Sequence, residues 1–378
     1  MFNFGNSKNN KPGFRSTPGC TALVTGSSGL CGARLVEMLL ERGASKVVCV
    51  DVMQPSPALK QRFEAVQKET GGTIVLADNG DLTNEAAMDA AFQLVPKIDV
   101  CYHIAALVGP FHERSKYYEV NYKGTLRILE KCKKFEVPKL IYSSSPSTRF
   151  TGQDVEGLRE DELPMPDTWL ELYAETKAYG ERAVLAANDP PTLMTMAVAP
   201  HQIYGPHDNL FLPNLLETAG NGRLRIFGTG RSIISVCYND NYCHGLMCGA
   251  DACTPNSKAL GQFYIVTDGK PQNFWTLVNS AVVAMGFVDL TTKTHLPVWL
   301  LYAVAYAANV LGRLLGRKFK LNPFNVTMLT IHRYFSLENA RRDLEYEPVV
   351  DFDEAWPQTI EWFRQNWLHR FRETRKTK

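Results

Sequence analysis

The chain of 378 residues is 45% hydrophobic and 21% charged, with a formal net charge of +2. That is the composition of a globular protein with a sizeable core, and so weak a field argues against a nucleic-acid partner. Nine cysteines, an odd number lying mostly in apolar runs such as "VVCVD" and "VCYHIAA", argue against a disulfide framework and for a reducing compartment.

Residues 1–18 are polar, lack the apolar stretch of a secretory signal and read as a flexible tail. From residue 20, short β-branched runs alternate with longer helical patterns. "CTALVTG" (20–26), "KVVCVDV" (46–52), "TIVLAD" (73–78), "DVCYHIA" (99–105) and "KLIYSSS" (139–145) read as strands, and "TLMTMAVAP" (192–200) and "GQFYIVTD" (261–268) extend the series. This rhythm predicts an α/β fold, a parallel sheet with helices on both faces. It assigns 19–200, with 236–269 returning, to one domain. The segments 201–235 and 270–378 lack the rhythm and are expected to form a smaller, mostly helical lobe containing an apolar helix over 296–315.

The first strand runs into "VTGSSGLCGARLVEMLLERG". It turns on Gly26, Gly29 and Gly32, with Ser28 and Leu30 inside the turn, and continues as a helix as far as Gly43. A strand, a glycine turn and a helix start are the parts that lay a pyrophosphate against unpaired N–H groups, the Rossmann arrangement. The next strand ends about 20 residues on in Asp51, where a carboxylate accepts from an adenosine ribose. No Arg or Lys follows in "DVMQPSPA" to offset a 2′-phosphate, which favours NAD over NADP; a solvated strand-end carboxylate is the alternative for Asp51.

Further along, "LELYAETKAYGE" puts Tyr173 and Lys177 one helical turn apart on one face. A free tyrosine has a pKa of about 10, and a nearby ammonium is expected to favour its ionised form. Such a pair is common by chance in helices. Its weight here comes from order, because Ser143, Ser144 and Ser145 precede it at the end of the fifth strand, where ligand-facing positions of an open parallel sheet occur.

The Gly-x-x-Gly-x-x-Gly spacing, with "GDLTN" (80–84), "HIAA" (103–106), "VNYKGT" (120–125) and "YSSSPST" (142–148) in that order, resembles the extended short-chain dehydrogenase/reductases. The resemblance implies NAD as cofactor, Asp81 and Leu82 flanking the adenine, and Ala105 in the cofactor site. It implies Ser145 as the serine that bonds the reacting oxygen, Tyr173 as the base, Lys177 on the nicotinamide ribose and Asn121 positioning the lysine. Nucleotide-sugar enzymes of this group carry an Arg-Asp pair where "IFGTGRSIISVCYNDN" has Ile234 and Ser235, which disfavours a sugar nucleotide.

The segments "GQFYIVTDGKPQNFWTLVNSAVVAMGF" and "ARRDLEYEPVVDFDEAWPQTIEWF" resemble the 3β-hydroxysteroid dehydrogenase and sterol-4α-carboxylate 3-dehydrogenase branch. That likeness implies oxidation of a sterol 3β-hydroxyl, foremost that of a 4α-carboxysterol with loss of carbon dioxide. A 3β-hydroxy-Δ5-steroid dehydrogenase/isomerase is the alternative, and a nucleotide-sugar epimerase/dehydratase or an NAD sensor without turnover ranks below both. Pro146, Arg149 and Ala199 depart from the branch pattern.

Leu296 to Leu311 carries no charge and is followed by Arg313, Arg317, Lys318 and Lys320. It falls short of the roughly 20 residues a span needs, and it suits the interface of an anionic membrane; a buried helix lining the pocket is the competing expectation. The terminal "RKTK", with Lys376, faintly echoes a retrieval signal. These features place the protein on the cytoplasmic face of the endoplasmic-reticulum membrane, or in the cytoplasm if the helix only lines the pocket. The expected partners are a sterol or steroid, a membrane surface and a second copy of the chain. Cys237, Cys243, Cys248 and Cys253 with His244 lack the paired spacing of a zinc site and read as buried thiols, with no metal expected.

Overall fold

The structure is a computed structural model that describes residues 17–109, 112–315 and 321–376. The predicted tail, apart from its last two residues, lies outside these, as do Arg317, Lys318 and Lys320 and the last two residues of "RKTK".

Among the described residues, seven strands form one parallel sheet. They are β1 Thr21–Thr25, β2 Lys46–Val50, β3 Thr73–Leu76, β4 Val100–His103, β5 Lys139–Ser143, β6 Met194–Pro200 and β7 Phe263–Val266, in the order β7-β6-β5-β4-β1-β2-β3. Each corresponds to a predicted run. Most of them stop short of its end, because the last residues of the run leave the ladder and become the loops that carry the site. The order reverses between β1 and β4, so their C-terminal ends diverge and leave a crevice, the usual ligand position in open α/β sheets.

Both faces of the sheet are covered. On one, the helix Leu30–Glu41 buries Leu35, Val36 and Leu39 with Tyr242 and Leu246 of the helix Asn239–Ala252. On the other, Ile128 and Leu129 of the helix Gly124–Lys134 pack with Met88, Phe92 and Val184. The helix Leu172–Ala186 lies close to β5, since a Cβ on Gly180 would come 2.6 Å from the Tyr142 hydroxyl. Only glycine allows that approach.

The second lobe contains strands that periodicity did not predict. Gln272–Asn273, Ile233–Ile234, Arg333–Phe335 and Val155–Leu158 form a four-stranded sheet in that order. Runs of two to four residues are too short to display a period of two. A third core, with Phe274, Trp275, Trp356 and Phe363, fills this lobe. The cysteines 237, 243, 248 and 253 are buried free thiols.

The apolar helix runs from Val298 to Leu315, starting two residues later than predicted and ending where predicted. Leu301 and Ala305 pack with Val326, whereas Trp299 is 72% and Leu314 79% exposed, with Val304, Tyr306, Val310 and Leu311 also outward. No helix among the described residues is long and apolar enough to cross a membrane.

Candidate active site

The glycine turn follows β1. Gly26 has φ +72°, and a Cβ there would lie 2.9 Å from the backbone of Ala105, while one on Gly32 would lie 2.0 Å from the Gly26 carbonyl oxygen. Gly29 caps the helix that begins at Leu30 and offers no side chain to its first N–H groups, so the helix end is available to an anion. The Asp51 carboxylate accepts from the Ser28 N–H (2.9 Å) and the Met53 N–H (2.8 Å), and retains lone pairs for ribose hydroxyls. A Cβ on Gly80 would come 2.2 Å from the Asp51 nitrogen, which places the 80–82 loop beside that carboxylate. Asp81 accepts from the Thr83 N–H and hydroxyl, and Leu82, 4% exposed, is packed into the core. The Ala105 N–H donates to the Thr25 hydroxyl at 3.2 Å. A cradle that a Cβ would fill, an uncapped helix start and a strand-end carboxylate together fit a dinucleotide.

The three serines after β5 have three different partners. The Ser143 hydroxyl accepts from Tyr242 at 2.6 Å, Ser144 donates to Glu181 at 2.5 Å, and Ser145 accepts from the Ser147 N–H at 3.3 Å and hydroxyl at 2.8 Å and lines the same cavity as Tyr173. Pro146 is the first residue of a short 3-10 turn, Pro146–Arg149, capped by the Ser145 hydroxyl. Proline suits that position because its missing N–H would be unpaired there anyway.

Tyr173 and Lys177 do share a helical face, but their electrostatics differ from expectation. Burial pushes the Tyr173 phenol up to about 12, opposed by the nearby Ser145 hydroxyl. Burial likewise draws the Lys177 ammonium down to about 7, opposed by the nearby Glu181 carboxylate. Lys177 Nζ donates to the Ser143 carbonyl and lies 4.0 Å from the centre of the Tyr142 ring. Burial thus governs both groups, favouring the neutral phenol and the neutral amine.

Asn121 sits in a π-helical turn, Tyr118–Lys123, and is buried. Its side chain clamps Leu107 at both ends, accepting from the N–H at 2.7 Å and donating to the carbonyl at 3.0 Å, and it also reaches Thr176. It thus joins the loop after β4 to the helix that carries Tyr173.

Ser145 and Tyr173 open onto a cavity of about 270 Å³ with apolar walls that include Phe150, Leu163, Phe324 and Phe335. Helix Val298–Leu315 takes no part in this wall, so the pocket-lining alternative does not hold for this cavity. Ala199 is buried in the core behind it, whereas Pro200 borders it. Ile234 is core and Ser235 is buried, its carbonyl accepting from His201.

Three residues of the site were missed in the sequence. Glu181 continues the stripe of Tyr173 and Lys177 by one more turn, a spacing that could have revealed it. Arg333 and His201 also border the cavity, and nothing local in "IHRYF" or "APHQI" marks them.

The model of the 3-beta hydroxysteroid dehydrogenase/isomerase family matches residues 23–298. A human protein named sterol-4-alpha-carboxylate 3-dehydrogenase, decarboxylating, is 31% identical over 351 residues, covering 91% of this chain and 88% of its own. A 2-alkyl-3-oxoalkanoate reductase of Stenotrophomonas maltophilia is 32% identical over 338 residues, covering 88% and 96%. Among solved structures, a dTDP-glucose 4,6-dehydratase variant of Streptomyces venezuelae with NAD bound has a TM-score of 0.69 at 18% identity, covering 93% of this chain and 99% of that one; at that identity the likeness extends to the fold alone. With glycine turn, serine, tyrosine and lysine in place on this sheet and the family model matched over most of its length, the chain belongs to the 3-beta hydroxysteroid dehydrogenase/isomerase family.

Proposed function

We propose that the protein uses NAD to oxidise the 3β-hydroxyl of a 4α-carboxysterol, with loss of the carboxyl group as carbon dioxide. The observation that carries the reading is that Ser145 and Tyr173 line one apolar cavity together. Residues 19–200 with 236–269 hold the cofactor, and 201–235 with 270–378 enclose the sterol together with the stretch from Ser145 to Ala174 that also lines the cavity. The human relative's name supports the substrate. In both relatives named above, a sterol-4-carboxylate 3-dehydrogenase and a 2-alkyl-3-oxoalkanoate reductase, the reacting carbon 3 adjoins the carbon that bears the carboxylate.

NAD, when bound, supplies a hydride acceptor at the carbinol carbon and a positive ring charge that favours an ionised phenol. Asp51, Asp81 and the glycine turn hold the adenosine and pyrophosphate end, with Leu82 and Ala105 as walls. Ser145 donates to the substrate oxygen and fixes its position. Tyr173 takes the hydroxyl proton as the ketone forms. Lys177 serves the nicotinamide ribose, and Asn121 holds the helix and loop that frame it.

Oxidation leaves a ketone beside the carbon that carries the carboxylate. The C4–carboxyl bond then breaks, its electron pair enters the C3–C4 bond, and the C3 oxygen takes back the proton held by Tyr173. Ser145 and Tyr173 stabilise that oxygen while charge develops on it.

The exposed apolar face of Val298–Leu315 supports a substrate lobe that meets a membrane surface, where a sterol dissolves; the endoplasmic reticulum is the membrane we assign. The deciding experiment tracks NADH formation and carbon dioxide release with a 4α-carboxysterol, a Δ5-3β-hydroxysteroid and a UDP-sugar. The carboxysterol is expected to yield both products. NADH from the Δ5-steroid alone would favour a dehydrogenase/isomerase, and NAD binding without turnover would favour a sensor.

A further inference from the structure

We infer that Tyr142 is a positioning residue of the dinucleotide site: the face of its ring seats the Lys177 ammonium, and its hydroxyl holds the backbone from which that side chain extends. Lys177 is thereby presented to the nicotinamide ribose as a cation, without an ion pair of its own.

Tyr142 lies on β5, where its neighbours across the ladder are His103 and Ala197. It is buried. Other inward positions on this face of the sheet are aliphatic, among them Leu23, Val48 and Leu140, so packing alone does not call for an aromatic ring at 142. Tyr142 meets Lys177 at two points. Lys177 Nζ is 4.0 Å from the ring centre, within the reach of a cation–π contact, and the Tyr142 hydroxyl donates to the Lys177 carbonyl at 3.3 Å. Gly180 leaves room for this grip, because a Cβ there would come 2.6 Å from the same hydroxyl.

The charged and titratable groups around Lys177 leave the ring this task. Glu181, one turn along the helix, favours the ammonium, but its carboxylate already pairs with Arg149 at 2.6 Å and accepts from Ser144 and Thr148. His103 on β4 has both ring nitrogens at hydroxyls, Nδ1 2.8 Å from Thr25 Oγ1 and Nε2 3.0 Å from Thr125 Oγ1. Burial and the Lys177 charge draw it down to about 3, so it is neutral. Tyr173, on the lysine's own helical face, is pushed up to about 12 by burial and is neutral as well. What directly touches the ammonium is the Ser143 carbonyl and the π face of Tyr142.

The negative face of an aromatic ring attracts a cation and does little for a neutral amine. It therefore opposes the burial that draws Lys177 down to about 7. An ammonium has three donors. With one on Ser143, others remain for ribose hydroxyls, and hydrogen bonds from a charged donor are roughly twice as strong as neutral ones.

The test uses the full chain with lysine isotope-labelled at Cε and read by NMR. It compares wild type, Tyr142→Phe and a chain with trifluorophenylalanine at 142, a ring of similar shape whose negative face is stripped. The Lys177 resonance is identified by its loss in Lys177→Met. Without cofactor, Lys177 in Tyr142→Phe is expected to titrate within a few tenths of a pH unit of the wild type, and with the fluorinated ring about one pH unit lower. NAD affinity, read by calorimetry, should be several-fold weaker with the fluorinated ring at about pH 8, and the gap should narrow toward about pH 6, where more of the ammonium survives in both chains. A midpoint that ignores fluorination overturns the seat. An equal loss of NAD affinity at every pH also overturns it, since a packing fault alone produces that. A displaced midpoint with unchanged NAD affinity removes Tyr142 from cofactor binding. If titration and NAD affinity behave as expected but no sterol is oxidised, the seat stands and the proposed reaction falls.

Discussion

Arg149 and Glu181 form an ion pair behind the Ser145 turn, with Nη2 2.6 Å from Oε1 and the Glu181 side chain fully buried. The guanidinium lies 3.4 Å from the centre of the Phe263 ring, and the other Glu181 oxygen accepts from Ser144 and Thr148. Arg149 thus departs from the family pattern with its counter-charge supplied one helix away. Glu181→Gln should cost about 3–5 kcal/mol, because it leaves a buried cation unbalanced. Adding Arg149→Met should recover much of that loss. Urea unfolding midpoints of the three chains test this, and additive losses would refute the coupling.

Tyr173→Phe removes the hydroxyl to which we assign proton exchange with the substrate and leaves the ring in place. We expect kcat to fall on the order of 10²- to 10⁴-fold, with NAD affinity changed little. Near-normal turnover would remove Tyr173 from the mechanism.

Lys177 titrates near 7 when folded and near its ordinary 10.5 when unfolded. The unfolded chain therefore binds the extra proton between these values, and the penalty for burying Lys177, full below about pH 7, is relieved as pH rises to about 10. Lys177→Met should be more stable than the wild type at about pH 6.5, with the difference shrinking by about pH 10. Comparing the two proteins by urea unfolding at both pH values cancels other titrating groups. A difference that does not vary with pH would contradict a buried, depressed lysine.

Asp51 should set the cofactor preference. Asp51→Ser removes a charge that repels a 2′-phosphate and a pair of acceptors for ribose hydroxyls, so the NAD-to-NADP ratio of kcat/KM should fall on the order of 10- to 100-fold. Steady-state kinetics with each dinucleotide gives the ratio directly, and an unchanged ratio would mean the carboxylate serves only the Ser28 turn.

Replacing Trp299 and Leu314 with aspartate tests the membrane reading. Both side chains are largely exposed, so the fold should tolerate the change, while partition onto anionic phospholipid vesicles should drop about tenfold or more. Equal sedimentation of variant and wild type with vesicles would exclude this helix as the contact.

The sheet was legible because buried parallel strands are continuous apolar runs, and the glycine turn because its shape depends on missing side chains. The small sheet escaped, since Ile233–Ile234 and Gln272–Asn273 are too short for any period. The spacing of Tyr173 and Lys177 could be read directly. The sign of their pKa shifts could not, because desolvation depends on what other segments pack above the pair. Three adjacent serines look alike in a string, yet Ser143 is held by Tyr242, Ser144 by Glu181 and Ser145 by Ser147, so only the last is left facing the cavity. Arg333 carries no local mark, because facing a cavity is a property of the whole neighbourhood.

The strand Arg333–Phe335 lies between Ile233–Ile234 and Val155–Leu158, so one wall of the apolar cavity is closed by chain that leaves the ribosome late. All seven strands of the large sheet, by contrast, have emerged once Val266 is made. During synthesis the seven strands can pair before the apolar cavity has a complete lining. Leu337, Ala340, Leu344 and Tyr346, made later still, complete the core against the nucleotide sheet, so a chain truncated ahead of Arg333 would be expected to lack part of both linings.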